Sequence, residues 1–267
     1  MLRKILLLVM AVASLWGCHS VKPSDNGKPD VEYDLFLLLG QSNMVGYAPL
    51  EEQDTEAIRG VWLLDDKGKI IPATSPINRY STIRFMGQTY YGLGSSFAKK
   101  VRHTTGRYIL LVSNARGGSA IAEWQKESSY NFYSEAVRRT RQALSHPGVR
   151  LKAILWHQGE SDCTRPEFEE YWYGHLAQMV EDLRTDLGSP ELPIVIGQTY
   201  EGASYADEMN PVIEKVSDYI SFSSWVSSEG CTDLGDAIHF SREGYDIIGG
   251  RYADEIIKLC YPEFANE

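Results

Sequence analysis

The run Asp34-Leu35-Phe36-Leu37-Leu38-Leu39, closed by Gly40, is the feature that most narrows what this chain can become. It is nearly all apolar and shows no alternation, which is the pattern of a parallel strand covered on both faces. A strand buried in that way needs a layer on each side of its sheet. The same form recurs at Tyr108 to Ser113, Leu151 to Trp156 and Pro193 to Gly197, and more weakly at Tyr219 to Trp225. Between these runs lie stretches of helical character: Ser95 to His103, Tyr130 to Ser145, Pro166 to Leu187, Tyr205 to Val216 and Ser241 to Leu259. Strand alternating with helix predicts an open α/β fold with a mostly parallel sheet, helices on both faces and right-handed crossovers. Ligands of such sheets bind in the crevice beyond the carboxyl ends of the strands.

With 267 residues, 43% of them hydrophobic, the chain carries enough apolar side chains for one core. No internal repeat or Pro/Ser/Gly-rich linker divides the body of the chain. The formal charge of -10 repels phosphate backbones and anionic lipid surfaces, so nucleic acid is not an expected partner.

The first residues read as a targeting segment. Arg3 and Lys4 precede an apolar stretch from Ile5 to Leu15, which is short of the roughly 20 residues a spanning helix needs. Leu15-Trp16-Gly17-Cys18 resembles a bacterial lipobox, in which the cysteine is lipidated and becomes the mature N-terminus. Residues 1–17 are therefore expected to be a signal peptide, Cys18 the lipidation site, 18–32 a flexible tether and 33–267 the folded domain. Export with lipid anchoring to a bacterial membrane follows. Of the remaining cysteines, Cys163 follows one polar motif closely and Cys231 precedes another, so a Cys163–Cys231 disulfide is expected, with Cys260 left over. No cysteine or histidine spacing resembles a metal site, and no cofactor is expected.

Four polar clusters fall where strands end or helices begin. Gly40-Gln41-Ser42-Asn43-Met44 follows the first run, Arg116-Gly117-Gly118-Ser119 the second, His157-Gln158-Gly159-Glu160 the third, and Asp236-Ala237-Ile238-His239 lies before the last helix. Each alone has a plain structural reading as a turn, a helix cap or a loop ion pair. Together they supply the parts of a serine esterase. Ser42 is the expected nucleophile and His239 its base, since an imidazole exchanges a proton near neutral pH. Asp236 or Glu160 is the acid that orients His239. The N–H of Ser42, a backbone N–H of Gly117 or Gly118, and the amide of Gln158 are candidate oxyanion donors. Gly92-Leu93-Gly94-Ser95-Ser96-Phe97 lacks the last glycine of a dinucleotide fingerprint and reads as a helix entry. The G-x-S-x-G elbow of α/β-hydrolases is absent.

Taken in this order, these motifs, with Trp124 following Gly117-Gly118-Ser119, resemble the sialate O-acetylesterase and acetylxylan esterase branch of the SGNH hydrolases (carbohydrate esterase family six-like). The resemblance covers nearly all of the chain beyond the targeting segment. It implies a three-layer, flavodoxin-like α/β/α sandwich, no metal, and removal of O-acetyl groups from sugars through an acetyl-serine intermediate. Carried over residue by residue, Ser42 is nucleophile and His239 base, with Asp236 and Glu160 both eligible as supporting acid. Gln158 stands where an asparagine is usual in the broader superfamily. Gln41, Asn43, Arg116 and Trp124 are expected at the acetylated glycan, with Tyr90, Tyr91 and Tyr200 as further platform candidates. A lipase or aryl-esterase of the same fold, and a silent glycan-binding lipoprotein, are the competing functions.

Overall fold

The computed structural model describes residues 31–85, 90–163 and 167–265. The signal peptide, Cys18 and all of the expected tether except Val31 and Glu32 lie outside the described residues. Among those described, seven strands form one sheet in the order β3-β2-β4-β1-β5-β6-β7. They are β1 (Tyr33–Gly40), β2 (Val61–Leu64), β3 (Ile70–Pro72), β4 (Tyr108–Ala115), β5 (Val149–His157), β6 (Ile194–Gly197) and β7 (Ser223–Val226). Every pairing is parallel except β2 with β3. The α/β/α sandwich with a mostly parallel sheet is thus what the alternation of runs and helices anticipated.

The helices are α1 (Ser42–Val45), α2 (Gly94–Thr105), α3 (Phe132–Leu144), α4 (Phe168–Leu187), α5 (Ala206–Glu214), α6 (Val216–Tyr219) and α7 (Arg242–Cys260). β1 shows why both faces need cover. Its Leu35, Leu37 and Leu39 join a core with side chains of α3, α4 and α5, whereas Phe36 and Leu38 join a second core with side chains of α2 and α7. Successive strand side chains point to opposite faces, so an unbroken apolar run fills two cores at once.

Two short strands were not visible in the sequence. β2 and β3 form a hairpin-like edge around Asp65-Asp66-Lys67-Gly68, and β3 carries only three residues, too few to show a period. The weak run at Tyr219 to Trp225 resolves into α6, a turn, and β7. The ends of the long elements differ from expectation by a few residues, as cap geometry is set by contacts outside the element.

The expected Cys163–Cys231 disulfide is a correction: both thiols are buried and free. Cys163 packs in the core on the α3/α4 side and Cys231 in the core on the α2/α7 side. The sheet lies between them. Nearness to two active-site motifs along the chain does not bring the sulfurs to one side, and burial pushes both thiols up to about 11.

Candidate active site

The three central strands end in register. Gly40 of β1 pairs with Ala115 of β4 on one side and with His157 of β5 on the other, so residues 41, 116 and 158 leave the sheet at one level. Main-chain bonds hold the exits together: Gln41 N–H donates to the His157 carbonyl (2.8 Å) and Arg116 N–H to the Gly40 carbonyl (2.9 Å). Gly40 has φ 136°, and a Cβ there would lie 2.2 Å from the His157 carbonyl oxygen. Only glycine permits that approach. It turns the chain sharply into α1, at whose first residue Ser42 stands, and the N–H of a first helical residue has no acceptor within its own helix.

Asn43 is the hub of the site. Its Nδ2 donates to Glu160 Oε1 (2.8 Å) and to the Ile238 carbonyl (3.0 Å). Its Oδ1 accepts from the Phe240 N–H (3.1 Å) and from the Tyr245 hydroxyl (3.0 Å). All four bonds an amide side chain can make are used. The residue after Ser42 therefore grips the two neighbours of His239, and this clamp delivers the late histidine to the early serine's rim.

The loop that carries His239 is built by two aspartates. Asp233 Oδ2 accepts from the N–H groups of Gly235 (2.9 Å) and Ala237 (2.7 Å), and Ala237 takes a left-handed φ of 56°. Asp236 Oδ1 accepts from the N–H groups of Ile238 (3.0 Å) and His239 (2.8 Å), while Oδ2 lies 2.6 Å from His239 Nδ1. An ionised carboxylate can only accept, so Nδ1 carries the proton and Nε2 is left as the basic nitrogen. Partial burial would raise the Asp236 carboxyl; the bonds from the His239 N–H and ring and from the Ile238 N–H outweigh it and hold the group below the usual carboxylate range.

Glu160 has a different environment. Burial raises its carboxyl above the usual range, although the Asn43 amide and the nearby His239 ring pull the other way, and its Oε2 is buried without a partner among the described residues. Asp236 touches the His239 ring, whereas Glu160 Oε1 accepts from the Asn43 clamp.

The family model for "Carbohydrate esterase, sialic acid-specific acetylesterase" matches residues 32–258. The chain belongs to this family. As a member it is a carbohydrate esterase of the acetylesterase type. A probable carbohydrate esterase of Arabidopsis thaliana is 28% identical over 257 residues, which span 86% of this chain and 94% of that protein. A crystal structure of an Arabidopsis thaliana protein superposes with a TM-score of 0.75 at 25% identity, covering 86% of this chain and 99% of that one. A carbohydrate acetylesterase from Xanthomonas citri shares the fold (TM-score 0.61, 18% identity), with 86% of this chain and 56% of that chain covered.

Within this esterase framework several expected roles move. Trp124 is fully buried, edge-on to Trp156 at 5.2 Å, with its indole N–H on Ser119 Oγ (3.0 Å). It is core, not sugar platform, packed against Trp156 and Phe132. Gln158 is also fully buried. Its amide donates to Asp162 and to the Ser119 carbonyl (3.3 Å), and its oxygen accepts from Trp172 (3.0 Å), so it braces two loops and has no donor left for an oxyanion. Asn43 is saturated, so it is scaffold rather than a substrate contact, and Gln41 Oε1 faces the N–H groups of Gly159 and Ser161 at 3.4 Å each. Tyr91 is buried, with its hydroxyl on Asp246.

Other expectations stay at the rim. Gly118 is exposed at φ 71° with open space beside it, and Gly117 precedes it below the surface. Arg116 lays its guanidinium 3.4 Å from the centroid of the exposed Phe85 ring and donates to the Ile83 carbonyl (2.8 Å). Tyr90 is exposed, and Tyr200 stands edge-on to Phe240 at 6.1 Å.

Sequence reasoning missed the work of His157. It is fully buried, its Nδ1 meets the Tyr252 hydroxyl (3.1 Å), and burial lowers it to about 3. The signal was present: a histidine ending a largely apolar run, Leu151 to Trp156, faces a core.

Proposed function

We propose that the enzyme removes O-acetyl groups from sugars through an acetyl-serine intermediate. Ser42 Oγ attacks the acetyl carbonyl while His239 Nε2 takes its proton and then returns it to the departing sugar hydroxyl; water, activated by the same nitrogen, releases acetate. Asp236 orients and stabilises the imidazolium. The tetrahedral oxyanion is received by the Ser42 N–H with an N–H from Gly117 or Gly118, two donors rather than the three anticipated.

The observation that carries this reading is the pairing of two contacts: Asn43 holding residues 238 and 240, and Asp236 holding Nδ1. Together they present Nε2 at the nucleophile's rim. Among the glycans, Arg116 favours a carboxylated sugar such as an acetylated sialic acid over neutral acetylated xylan, because its charge stands at the rim with an aromatic face beneath it rather than a carboxylate.

Acetate release from acetylated sialosides and acetylated xylan, by wild type and Ser42→Ala, tests both parts. Loss of turnover in Ser42→Ala is expected to exceed about a thousandfold. Equal residual rates would remove Ser42 from the chemistry. Faster turnover of the xylan than of the sialosides would reverse the substrate preference. From residues 1–18 we also infer export and lipid anchoring at Cys18, for which the measurement is whether Cys18→Ser moves the protein from the membrane to the soluble fraction.

A further inference from the structure

Three residues position His239, and only two of them act through polar atoms. Asp236 fixes one edge of the ring, and Asn43 fixes the backbone on both sides of the residue. The third is Tyr47, whose ring lies parallel to the imidazole at an interplanar angle of 2° and a centroid separation of 4.0 Å. Tyr47 also stacks with Tyr90, at 5.8 Å and 20°.

The segment that presents Tyr47 is locked by its own backbone. Gly46, at φ 92°, lies so close to the 91–92 strand segment that a Cβ would sit 2.5 Å from the Tyr91 carbonyl oxygen. Ala48 and Tyr91 form an isolated antiparallel bridge, with Tyr91 N–H donating to the Ala48 carbonyl at 2.8 Å and Ala48 N–H to the Tyr91 carbonyl at 3.3 Å. Tyr91 is fastened in turn to α7 through Asp246 and by Arg242 over its ring at 4.0 Å. Tyr47 is thus half-buried on a braced shelf, with its stacking taken up by His239 and Tyr90.

We infer that Tyr47 is a positioning residue for the base. It keeps the imidazole in the plane that aims Nε2 at Ser42, and its negative π face stabilises the positive charge the ring acquires as the serine proton arrives. One six-residue segment, 42 to 47, then supplies the nucleophile, the clamp on the base loop and the surface beneath the base. A merely structural aromatic would be indifferent to the state of His239, and a sugar platform would act on substrate binding. The inference rests on the proposed Ser42–His239 chemistry.

The test uses the full chain with p-nitrophenyl acetate, comparing wild type, Ser42→Ala, Tyr47→Phe and Tyr47→Leu. Tyr47→Phe keeps the ring face and is expected within about twofold of wild type, whereas Tyr47→Leu is expected to lose roughly tenfold in kcat with little change in KM. Wild-type kcat in Tyr47→Leu, a loss in Tyr47→Phe as deep as in Tyr47→Leu, or a change confined to KM would each overturn it. Proton NMR of the wild type checks the geometry without relying on a Tyr47 variant that folds. The His239 ring protons, assigned by their disappearance in His239→Gln, are expected upfield because they lie over an aromatic face; unshifted signals would overturn the stack. Failure of the underlying reading looks different, since turnover would then be equal in wild type and Ser42→Ala.

Discussion

The two sides of the proposed catalytic rim are built in opposite ways. On the Ser42 side, Gln41, Ser42, Asn43, His157 and Gln158 are all buried, and the amides of Asn43 and Gln158 are spent on neighbouring side chains and backbone. On the base side, residues 234 to 238 are exposed, and the loop is shaped by Asp233 and Asp236 accepting from its own N–H groups. The buried side supplies rigidity; the exposed loop carries His239, the proposed proton acceptor, and is stapled to the rigid side through Asn43. A site assembled this way can be damaged chemically on one side and structurally on the other, and the two kinds of damage are separable.

The sharpest separation is between the two acids. Asp236→Asn is expected to cost on the order of a thousandfold in kcat/KM with the fold unchanged, because it disturbs the His239 tautomer. Glu160→Gln keeps an acceptor for Asn43 and removes a carboxyl whose charged form burial disfavours. Since the folded state raises Glu160, wild type loses stability as pH climbs from the ordinary carboxylate value through the raised one. Glu160→Gln is therefore expected to lose less than about tenfold in kcat/KM and to melt no lower than wild type at pH 8. A deeper loss in Glu160→Gln than in Asp236→Asn would exchange their roles and erase the contrast.

Asn43→Ala attacks the staple itself. It strands the Glu160 carboxyl, the Phe240 N–H and the Tyr245 hydroxyl, each unpaired buried group costing about 1–3 kcal/mol. Both activity, by roughly a hundredfold, and the urea midpoint are expected to fall. A variant that lost neither would show the loop to be held without the clamp.

Trp124→Ala belongs wholly to the buried side. Removing this indole from between Trp156 and Phe132 is expected to cost about 3–5 kcal/mol in urea unfolding while KM for the glycan stays unchanged. A raised KM with intact stability would return Trp124 to the substrate.

The smallest effect is one of pH. His157 is neutral in the fold and lowered to about 3, so the unfolded chain binds its proton first as acid is added. Its contribution to stability is complete above the ordinary histidine value and is lost progressively as pH falls from there toward 3. The melting temperature is expected to decline across that window, and less steeply in His157→Phe.

The same contrast explains what could be read in advance. The runs at Asp34 to Leu39, Tyr108 to Ser113 and Leu151 to Trp156 declared central strands because burial on both faces leaves a one-dimensional trace. The three motifs at their ends followed, since the carboxyl edge of a parallel sheet collects whatever comes next in the chain. What could not be read was how each polar side chain in those motifs is spent. Gln158, Asn43 and Gln41 have the same residue chemistry whether they face substrate or brace a loop. Trp124 has the same composition as a platform or as core. Tyr47 carried no signal at all, standing five residues past the serine with nothing local to mark it.

The sequence by itself determined the layered architecture, the central strand and the short roll of residues able to do ester chemistry, because periodicity and residue type are properties of the chain alone. The tertiary structure decided the assignments: which acid touches His239, which amides are already taken, which cysteines lie on opposite sides of the sheet, and which ring lies under the imidazole. Those depend on hydrogen-bond capacity being finite and on distances between residues far apart in the chain, neither of which exists until the sheet has brought residues 43 and 240 within reach of each other.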